Sequence, residues 1–148
     1  MPTQEPVRNY PRPPIMEPVP QRIRIEFAEH TIADSTRAQR ILETSHPPTY
    51  YIPKEDFLRG IWSKSEQHSV CEWKGVATYW SLNLNDRCSL NAGWSYEDPT
   101  PDFEAIRGYI AVYSSRVDAC FVGEEKVQAQ SGTFYGGWIN SWIEGPFK

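Results

Sequence analysis

The clearest strand pattern in the chain is VATYWSLNL, residues 76–84, where apolar and small or polar side chains alternate. Successive side chains of a strand point to opposite faces, so alternate residues are expected on one face of a sheet. The alternate set is Val76, Thr78, Trp80, Leu82 and Leu84. A second strand is predicted at residues 90–96, after a turn at residues 85–87.

Shorter patterns on both sides of this pair also predict strands. Ile23, Ile25 and Phe27 alternate with charged residues, and a second short strand is expected within residues 31–41. Residues 109–113 and 118–122 are predicted to form a further strand pair, followed by a turn at 123–125. One helical turn is expected after Pro53, and a short helix before residue 107. The predicted fold is therefore mainly β, with folded antiparallel sheets and one or two short helices.

The prolines divide the chain into two parts. Seven of its 13 prolines lie within residues 1–21, which show almost no apolar periodicity. This predicts a proline-rich flexible N-terminal arm, with a proline-rich ligand for a recognition module as the alternative. Residues 22–148 are predicted to form a single domain with an aromatic C-terminal extension.

Composition excludes several classes of protein. The chain has 15 Lys and Arg against 19 Asp and Glu, a net charge of −4, which argues against nucleic acid as a partner. It has neither an apolar run long enough to span a membrane nor a secretory signal, so a cytoplasmic location is expected. Three widely spaced cysteines predict neither a disulfide framework nor a structural zinc site. No metal and no cofactor is predicted, and a homo-oligomer is compatible with the sequence.

Aromatic residues are concentrated in the middle third of the chain. Rings on one face of neighbouring strands can converge on a cavity, where they bind planar or cationic ligands. For Trp80 and Trp94, general burial tendencies favour a place in the core over a place in the site. Tyr50, Tyr51 and Trp73 lie beside turns or prolines, which favours a role in lining a site.

A thiol and a cation lie three residues apart, at Cys71 and Lys74, just before the clearest strand. A nearby ammonium favours the thiolate form of a cysteine, but a buried inert thiol is the favoured interpretation, because His68 is the only histidine nearby in sequence. Lys74 can reach Cys71 only if the chain bends near Trp73. A turn capped by Asp34 or Ser35 is predicted at residues 34–37, and Arg37 and Glu43 could form an ion pair or clamp an anion.

Several motifs together resemble a bacterial family called domain of unknown function 427. In order along the chain they are Ala33-Asp34-Ser35-Thr36-Arg37-Ala38, Glu43-Thr44, Pro47-Pro48-Thr49-Tyr50-Tyr51-Ile52-Pro53-Lys54-Glu55-Asp56, Cys71-Glu72-Trp73-Lys74-Gly75-Val76-Ala77-Thr78-Tyr79, Asn91-Ala92-Gly93-Trp94-Ser95-Tyr96 and Ile106-Arg107-Gly108-Tyr109-Ile110-Ala111-Val112-Tyr113. The ending Phe134-Tyr135-Gly136-Gly137-Trp138 resembles the extended cyanobacterial-type members. Glu72 departs from the pattern, since many relatives carry proline after the cysteine.

The resemblance implies a β-tent fold, similar to methionine-R-sulfoxide reductases and to the thalidomide-binding domain of cereblon. Many β-tent proteins hold zinc between two cysteine pairs, and this sequence lacks those pairs. The family also carries a nucleotidyltransferase-like name. The sequence does not support that name, because it lacks a Gly-Ser followed by the Asp-x-Asp carboxylates that hold two metal ions on a triphosphate.

The favoured hypothesis is a cytosolic β-tent protein that binds a small planar organic ligand in an aromatic-lined pocket. Its predicted walls are Tyr50, Tyr51, Trp73, Tyr79, Trp94 and Tyr96, and its polar anchors are Arg37, Glu43, Asp56 and Lys74. One alternative is an enzyme that uses Cys71 as nucleophile or redox centre. A second alternative is a scaffold whose aromatic surface or proline-rich arm binds another protein.

Overall fold

A computed structural model describes residues 4–130 and 136–147 of the chain. The strands are β1 (Glu5–Pro6), β2 (Ile15–Pro18), β3 (Ile23–Phe27), β4 (His30–Ser35), β5 (Gln39–Leu42), β6 (Thr49–Tyr51), β7 (Trp62–Cys71), β8 (Gly75–Leu84), β9 (Arg87–Ser95), β10 (Ile110–Val112), β11 (Ala119–Val122), β12 (Glu125–Lys126), β13 (Gln128–Ala129), β14 (Trp138–Ile139) and β15 (Ile143–Glu144). Short 3₁₀ helices lie between them, namely η1 (Val7–Asn9), η2 (Lys54–Asp56), η3 (Pro101–Ile106) and η4 (Ser114–Arg116). The prediction of a mainly β fold with antiparallel sheets and short helices is confirmed.

The longest strands form an antiparallel sheet in the order β10-β9-β8-β7. Both neighbours of β8 bulge opposite its middle. Register shifts fall between Lys64 and His68 on the β7 side, and between Trp80 and Leu82 on the β9 side. Bulges bend strands and increase their twist, so the middle of β8 is where this sheet departs from a flat arrangement.

Two further sheets pack around this one, in the orders β12-β11-β3-β4 and β2-β5-β6. Strand β3 has the predicted alternation, because Ile23, Ile25 and Phe27 are all buried. The expected pairing of residues 109–113 with 118–122 is wrong. Strand β10 pairs with β9, while β11 pairs with β3 and β12. Adjacent strand patterns do not reveal such long-range partners.

Buried apolar residues form two large clusters. We call the first the main core; it includes Ile23, Ile25, Tyr50, Ile52, Leu82, Val112 and Trp138. We call the second the aromatic cluster; it contains Ile41, Tyr51, Ala77, Tyr79, Trp94, Tyr96, Phe103, Ile106, Ala111 and Tyr113. Strand β6 contributes to both clusters, because Tyr50 lies in the main core and Tyr51 in the aromatic cluster.

Residues 4–21 of the N-terminal segment pair and pack with the rest of the chain, whereas the sequence predicts a flexible arm over residues 1–21. Strand β2 pairs with β5, and the side chain of Val7 is completely buried. The guanidinium of Arg40 on β5 binds the carboxylates of Glu5 at 3.1 Å and Glu17 at 2.5 Å. Prolines are tolerated on edge strands, so the proline content of this segment does not prevent its docking.

Two other expectations differ from the structure. The strand expected within residues 31–41 is two strands, β4 and β5, which belong to different sheets. Strand β7 was not predicted, because it is an edge strand with mostly exposed polar residues and shows no apolar alternation. Phe134 and Tyr135, the first two residues of the C-terminal motif in the resemblance, lie outside the described residues. The described residues contain no helix with the length and apolarity needed to cross a bilayer.

The packing of the N-terminal segment can be tested by truncating one buried and one exposed side chain in separate variants. Val7→Ala should lower the free energy of unfolding by about 2 kcal/mol, because it removes two fully buried methyl groups. Ile15→Ala is the matched control, since the Ile15 side chain is 47% exposed, and it should cost much less. Urea unfolding of both variants measures the difference. Equal and negligible effects would show that the segment is not docked.

Candidate functional site

A cavity of about 480 Å³ opens beside the aromatic cluster. Its lining combines aromatic rings with a small number of polar groups. The lining residues are Arg12, Ile41, Glu43, His46, Pro47, Thr49, Tyr51, Ser69, Val70, Cys71, Glu72, Trp73, Lys74, Tyr79, Trp94, Tyr96, Tyr113, Gln130 and Gly136. This size and composition are typical of sites that bind small organic molecules.

The sheet register brings the central rings together. Tyr79 on β8 lies directly opposite Trp94 on β9, and Trp94 lies opposite Ala111 on β10. Residues paired across strands share one face of the sheet, so Tyr79 and Trp94 point the same way. The small side chain of Ala111 leaves room beside the Trp94 indole.

Strand β6 closes the cavity from another sheet. The indole N–H of Trp94 donates a hydrogen bond of 3.3 Å to the hydroxyl of Tyr51, and the two rings meet edge-on. The ring of Tyr96 lies 6.2 Å from that of Tyr51. The hydroxyl of Tyr79 is 3.0 Å from the side-chain oxygen of Ser69 on β7. Several rings are thus held in place by partners on different strands.

The C-terminal part of the chain contributes a close approach of backbone to rings. A side chain at Gly136 would overlap the Trp94 indole, and its Cβ would lie 3.2 Å from the ring of Tyr113. The Tyr113 ring itself packs 4.7 Å from that of Trp94, centroid to centroid. Glycine is therefore required at this position to let the backbone lie against the cavity wall.

A tight hairpin places the thiol and the ammonium. Cys71 at the end of β7 pairs with Gly75 at the start of β8, so Glu72, Trp73 and Lys74 form the turn. Gly75 has a φ of +111°, a backbone conformation that favours glycine. The bend that sequence analysis required is present, and it brings Lys74 near enough to Cys71 for the thiol to help raise the pKa of the ammonium.

Burial and neighbouring groups determine the charges in the cavity. Burial alone lowers the pKa of Lys74, but Tyr51, Cys71 and Glu43 outweigh it, so the pKa lies above its ordinary value. Burial raises the pKa of Tyr51, and burial together with Tyr51 raises that of Tyr96. At neutral pH the cavity therefore presents one ammonium among neutral phenols.

The cavity lining also contains the carboxylate of Glu43. Glu43 forms an ion pair with Arg12, with 3.4 Å between a guanidinium nitrogen and a carboxylate oxygen. Arg12 belongs to the N-terminal segment, and Glu43 follows β5. The proposed partner of Glu43, Arg37, lies away from the cavity, so the expected Arg37–Glu43 ion pair is not formed.

Most of the sequence-predicted site residues lie around this cavity. They are Glu43, Tyr51, Cys71, Trp73, Lys74, Tyr79, Trp94 and Tyr96. Trp94 is both buried and part of the lining, whereas Trp80 is half-buried and its ring faces the ammonium of Lys54 at 4.6 Å. The structure places Tyr50, Arg37 and Asp56 elsewhere.

Tyr50 cannot share the cavity with Tyr51, because adjacent residues of a strand point to opposite faces. Its ring stacks on Trp138 in the main core, with 5.0 Å between centroids. Burial raises the pKa of Tyr50 to about 12, although the neighbouring Arg40 lowers it. The alternation rule, applied to the strand at Thr49–Tyr51, could have separated the two tyrosines from sequence.

Arg37 and Asp56 bind each other on the surface. A guanidinium nitrogen of Arg37 lies 2.6 Å from Asp56, and the hydroxyl of Ser35 donates to the same carboxylate at 2.7 Å. The Ser35 oxygen also accepts the backbone N–H of Arg37 at 3.0 Å, which is the local capping interaction expected at residues 34–37. This cluster joins β4 to η2 and serves the fold.

Eleven lining residues were not proposed from sequence as site residues, and Arg12, His46, Tyr113 and Gln130 are among them. Arg12 was missed because its segment was assigned to a flexible arm. Tyr113 lies in a predicted strand and in a motif of the resemblance, so its ring could have been included. Nothing in the sequence signals Gln130. Within residues 4–130 and 136–147, no cluster of three or more His, Cys, Asp or Glu side chains could hold a metal ion.

Comparison with protein families gives one match. The model of a family described as domain of unknown function (DUF427) matches residues 15–123, which is well over half of the chain. No curated protein matches the chain.

The surface cluster predicts a pH-dependent contribution to stability. Burial raises the pKa of Asp56, but hydrogen bonds from Arg37 and Ser35 outweigh it and hold the pKa below its ordinary range. The stabilisation is therefore present above about pH 4 and lost as pH falls further. Asp56→Asn should cost on the order of 1 kcal/mol at pH 7, and less below pH 4.

Glu55→Gln is the matched control, because Glu55 reaches the same guanidinium but its side chain is 68% exposed. Thermal unfolding between pH 2.5 and pH 7 should show a negligible effect of this variant. A cost of Asp56→Asn that is unchanged at low pH would contradict the assignment.

Proposed function

Because the chain belongs to the family called domain of unknown function 427, a family without an assigned activity, we propose a function from the cavity itself: it binds a small planar organic molecule. The observation that carries this proposal is the convergence of six rings on one space of about 480 Å³. They are Tyr51, Trp73, Tyr79, Trp94, Tyr96 and Tyr113.

The arrangement of the rings supports a planar ligand. Tyr51, Tyr79, Trp94 and Tyr96 are buried, and partners on neighbouring strands orient them, so little ordering entropy is lost when a ligand enters. Aromatic rings bind other planar rings by stacking and edge contacts. Trp73 is only partly buried and lies on the hairpin turn, which suits a ring at the entrance.

The size of the cavity indicates a bicyclic or slightly larger molecule. Drug-sized ligands gain about 0.3 kcal/mol per non-hydrogen atom, so a bicyclic amide should bind with a Kd of about 1 mM. A larger natural ligand would bind more tightly.

We further propose a cytoplasmic location, because Cys71, Cys88 and Cys120 are all free thiols, as expected in a reducing compartment.

The binding proposal predicts saturable binding of 2-naphthamide, quinoline or indole-3-carboxamide, measured by isothermal titration calorimetry and saturation-transfer NMR. At least one of these neutral planar probes should bind with a Kd of about 1 mM or lower. Trp73→Ala should weaken binding about fivefold, corresponding to about 1 kcal/mol of ring contact.

Trp80→Ala is the matched control for this experiment. Trp80 lies on the same sheet and is also half-buried, but it does not line the cavity. Its loss should leave probe affinity unchanged. If none of the probes binds below several millimolar, or if both tryptophan variants weaken binding equally, the cavity is not the proposed site.

The position of Cys71 favours a second candidate function. Its thiol lines the cavity on the same hairpin as Lys74, an arrangement that would suit a cysteine nucleophile attacking a bound electrophile. The structural alternative is a thiol that only packs beside Lys74 in the hairpin. Ionisation of the thiol near neutral pH separates the two, since the thiolate is the reactive species.

Alkylation with iodoacetamide tests this candidate, with Cys88 as an internal reference because it is exposed and does not line the cavity. We expect Cys71 to react no faster than Cys88 at pH 6, in agreement with a binding function. Mass spectrometry of each cysteine peptide between pH 5 and pH 9 gives the two rates. Selective labelling of Cys71 at pH 6 would contradict the expectation and favour the enzyme.

A further inference from the structure

Lys74 is a cation on the cavity wall that lacks a carboxylate partner. Among the ion pairs formed by residues 4–130 and 136–147, none involves Lys74. The other cationic side chain that lines the cavity, Arg12, is paired with Glu43. Withdrawing an ammonium from water is costly unless an opposite charge compensates it, so an anionic group of a ligand would be stabilised at Lys74.

The groups around the Lys74 ammonium favour its protonated form, but none of the described residues forms an ion pair with it. Burial lowers its pKa, but Tyr51 and Cys71 outweigh burial, and its Nζ lies 5.8 Å from the centre of the Tyr96 ring. A ring face attracts a cation but leaves its hydrogen-bond donors unused. An ammonium has three donors, so several remain for an incoming oxygen acceptor.

The distance between the cation and the rings limits the shape of such a ligand. Lys74 touches the same Tyr96 ring that lies beside Tyr51, and Tyr51 in turn contacts Trp94. An acidic group bound at Lys74 is therefore at most about one ring width from the aromatic walls. A long flexible spacer between the acid and the planar part would not fit this arrangement.

The carboxylates on the lining do not form an ion pair with Lys74. Glu43 is paired with Arg12, although it lies near enough to Lys74 to help raise the pKa of the ammonium. Glu72 is on the same hairpin turn as Lys74, with its side chain exposed to solvent. Among the described residues, no carboxylate contacts the ammonium directly, so it can bind an anionic group of a ligand.

We propose that the ligand of this cavity is an aromatic or heteroaromatic acid, with its acidic group attached directly to the planar ring and bound by the ammonium of Lys74. This inference rests on the proposed function, since it assumes that the aromatic cavity is a binding site. It adds the charge of the ligand and the residue that recognises it.

A matched pair of probes tests the inference, namely 2-naphthoate and its neutral isostere 2-naphthamide. Isothermal titration calorimetry at pH 7 should give a Kd for naphthoate about tenfold lower than that for naphthamide, because the hydrogen bond to Lys74 is charge-assisted. In Lys74→Met the preference for naphthoate over naphthamide should disappear, which is measured as the ratio of the two Kd values in the same variant.

Two control variants distinguish the effect of a cation at the site from the effect of the total charge of the protein. Lys54→Met makes the same substitution at an exposed lysine away from the cavity and should keep the preference for naphthoate. Lys74→Arg keeps the cation and should also keep most of the preference. The Arg variant provides the comparison if Lys74→Met is unstable, since loss of the preference in a folded Lys74→Arg would count against recognition by charge.

The outcomes distinguish the inference from the function on which it rests. If wild type binds naphthamide and naphthoate equally, the cavity binds planar molecules but the inference is wrong. A preference for naphthoate that persists in Lys74→Met also overturns it. If neither naphthoate nor naphthamide binds but quinoline or indole-3-carboxamide does, the inference fails and the binding function stands; if none of the four binds, both fail.

Discussion

The opposite orientation of neighbouring side chains on a β-strand is the constraint on which this structure depends. Strand β6 inserts Tyr50 into the main core and Tyr51 into the aromatic cluster, so one short strand is the partition between the two. Strand β8 does the same with Leu82 and Tyr79. The main core therefore lies directly behind the strands that form the cavity walls.

The cavity is assembled from parts of the chain that are distant in sequence. Its aromatic walls lie within the segment that the family model matches, residues 15–123. Arg12, Gln130 and Gly136 line the same space but lie outside that segment. The N-terminal segment, held by Arg40 and its two carboxylates, thus belongs to the site as well as to the fold.

Sequence patterns predicted those parts of the structure that depend on local alternation or on a resemblance. Strands β3 and β8 follow directly from their apolar periodicity, and most of the ring residues proposed for the site do line the cavity. Strand β7 escaped prediction because an exposed edge strand needs no apolar face. Docking of the N-terminal segment depends on ion pairs with Arg40, a residue more than twenty positions away.

The same limit explains the errors at the site. Arg37, Glu43 and Asp56 all carry charges suited to anchoring a ligand, but their partners are set by how β4, β5 and η2 meet in space. Only Glu43 comes to the cavity. A residue type can suggest chemistry from sequence, whereas the choice of partner among several charged residues requires the fold.

In the binding function proposed above, the turn at residues 72–74 supplies the cation and the entrance ring, whereas the strands supply the walls of the cavity. The rings that form its walls lie largely on strands within the buried clusters, so most substitutions there would disturb folding. The ammonium and the entrance ring lie instead on a hairpin tip whose side chains are not fully buried. Relatives that differ at these three turn positions could acquire new ligand preferences while keeping one scaffold, so divergence of specificity within such a family would be concentrated in a single loop.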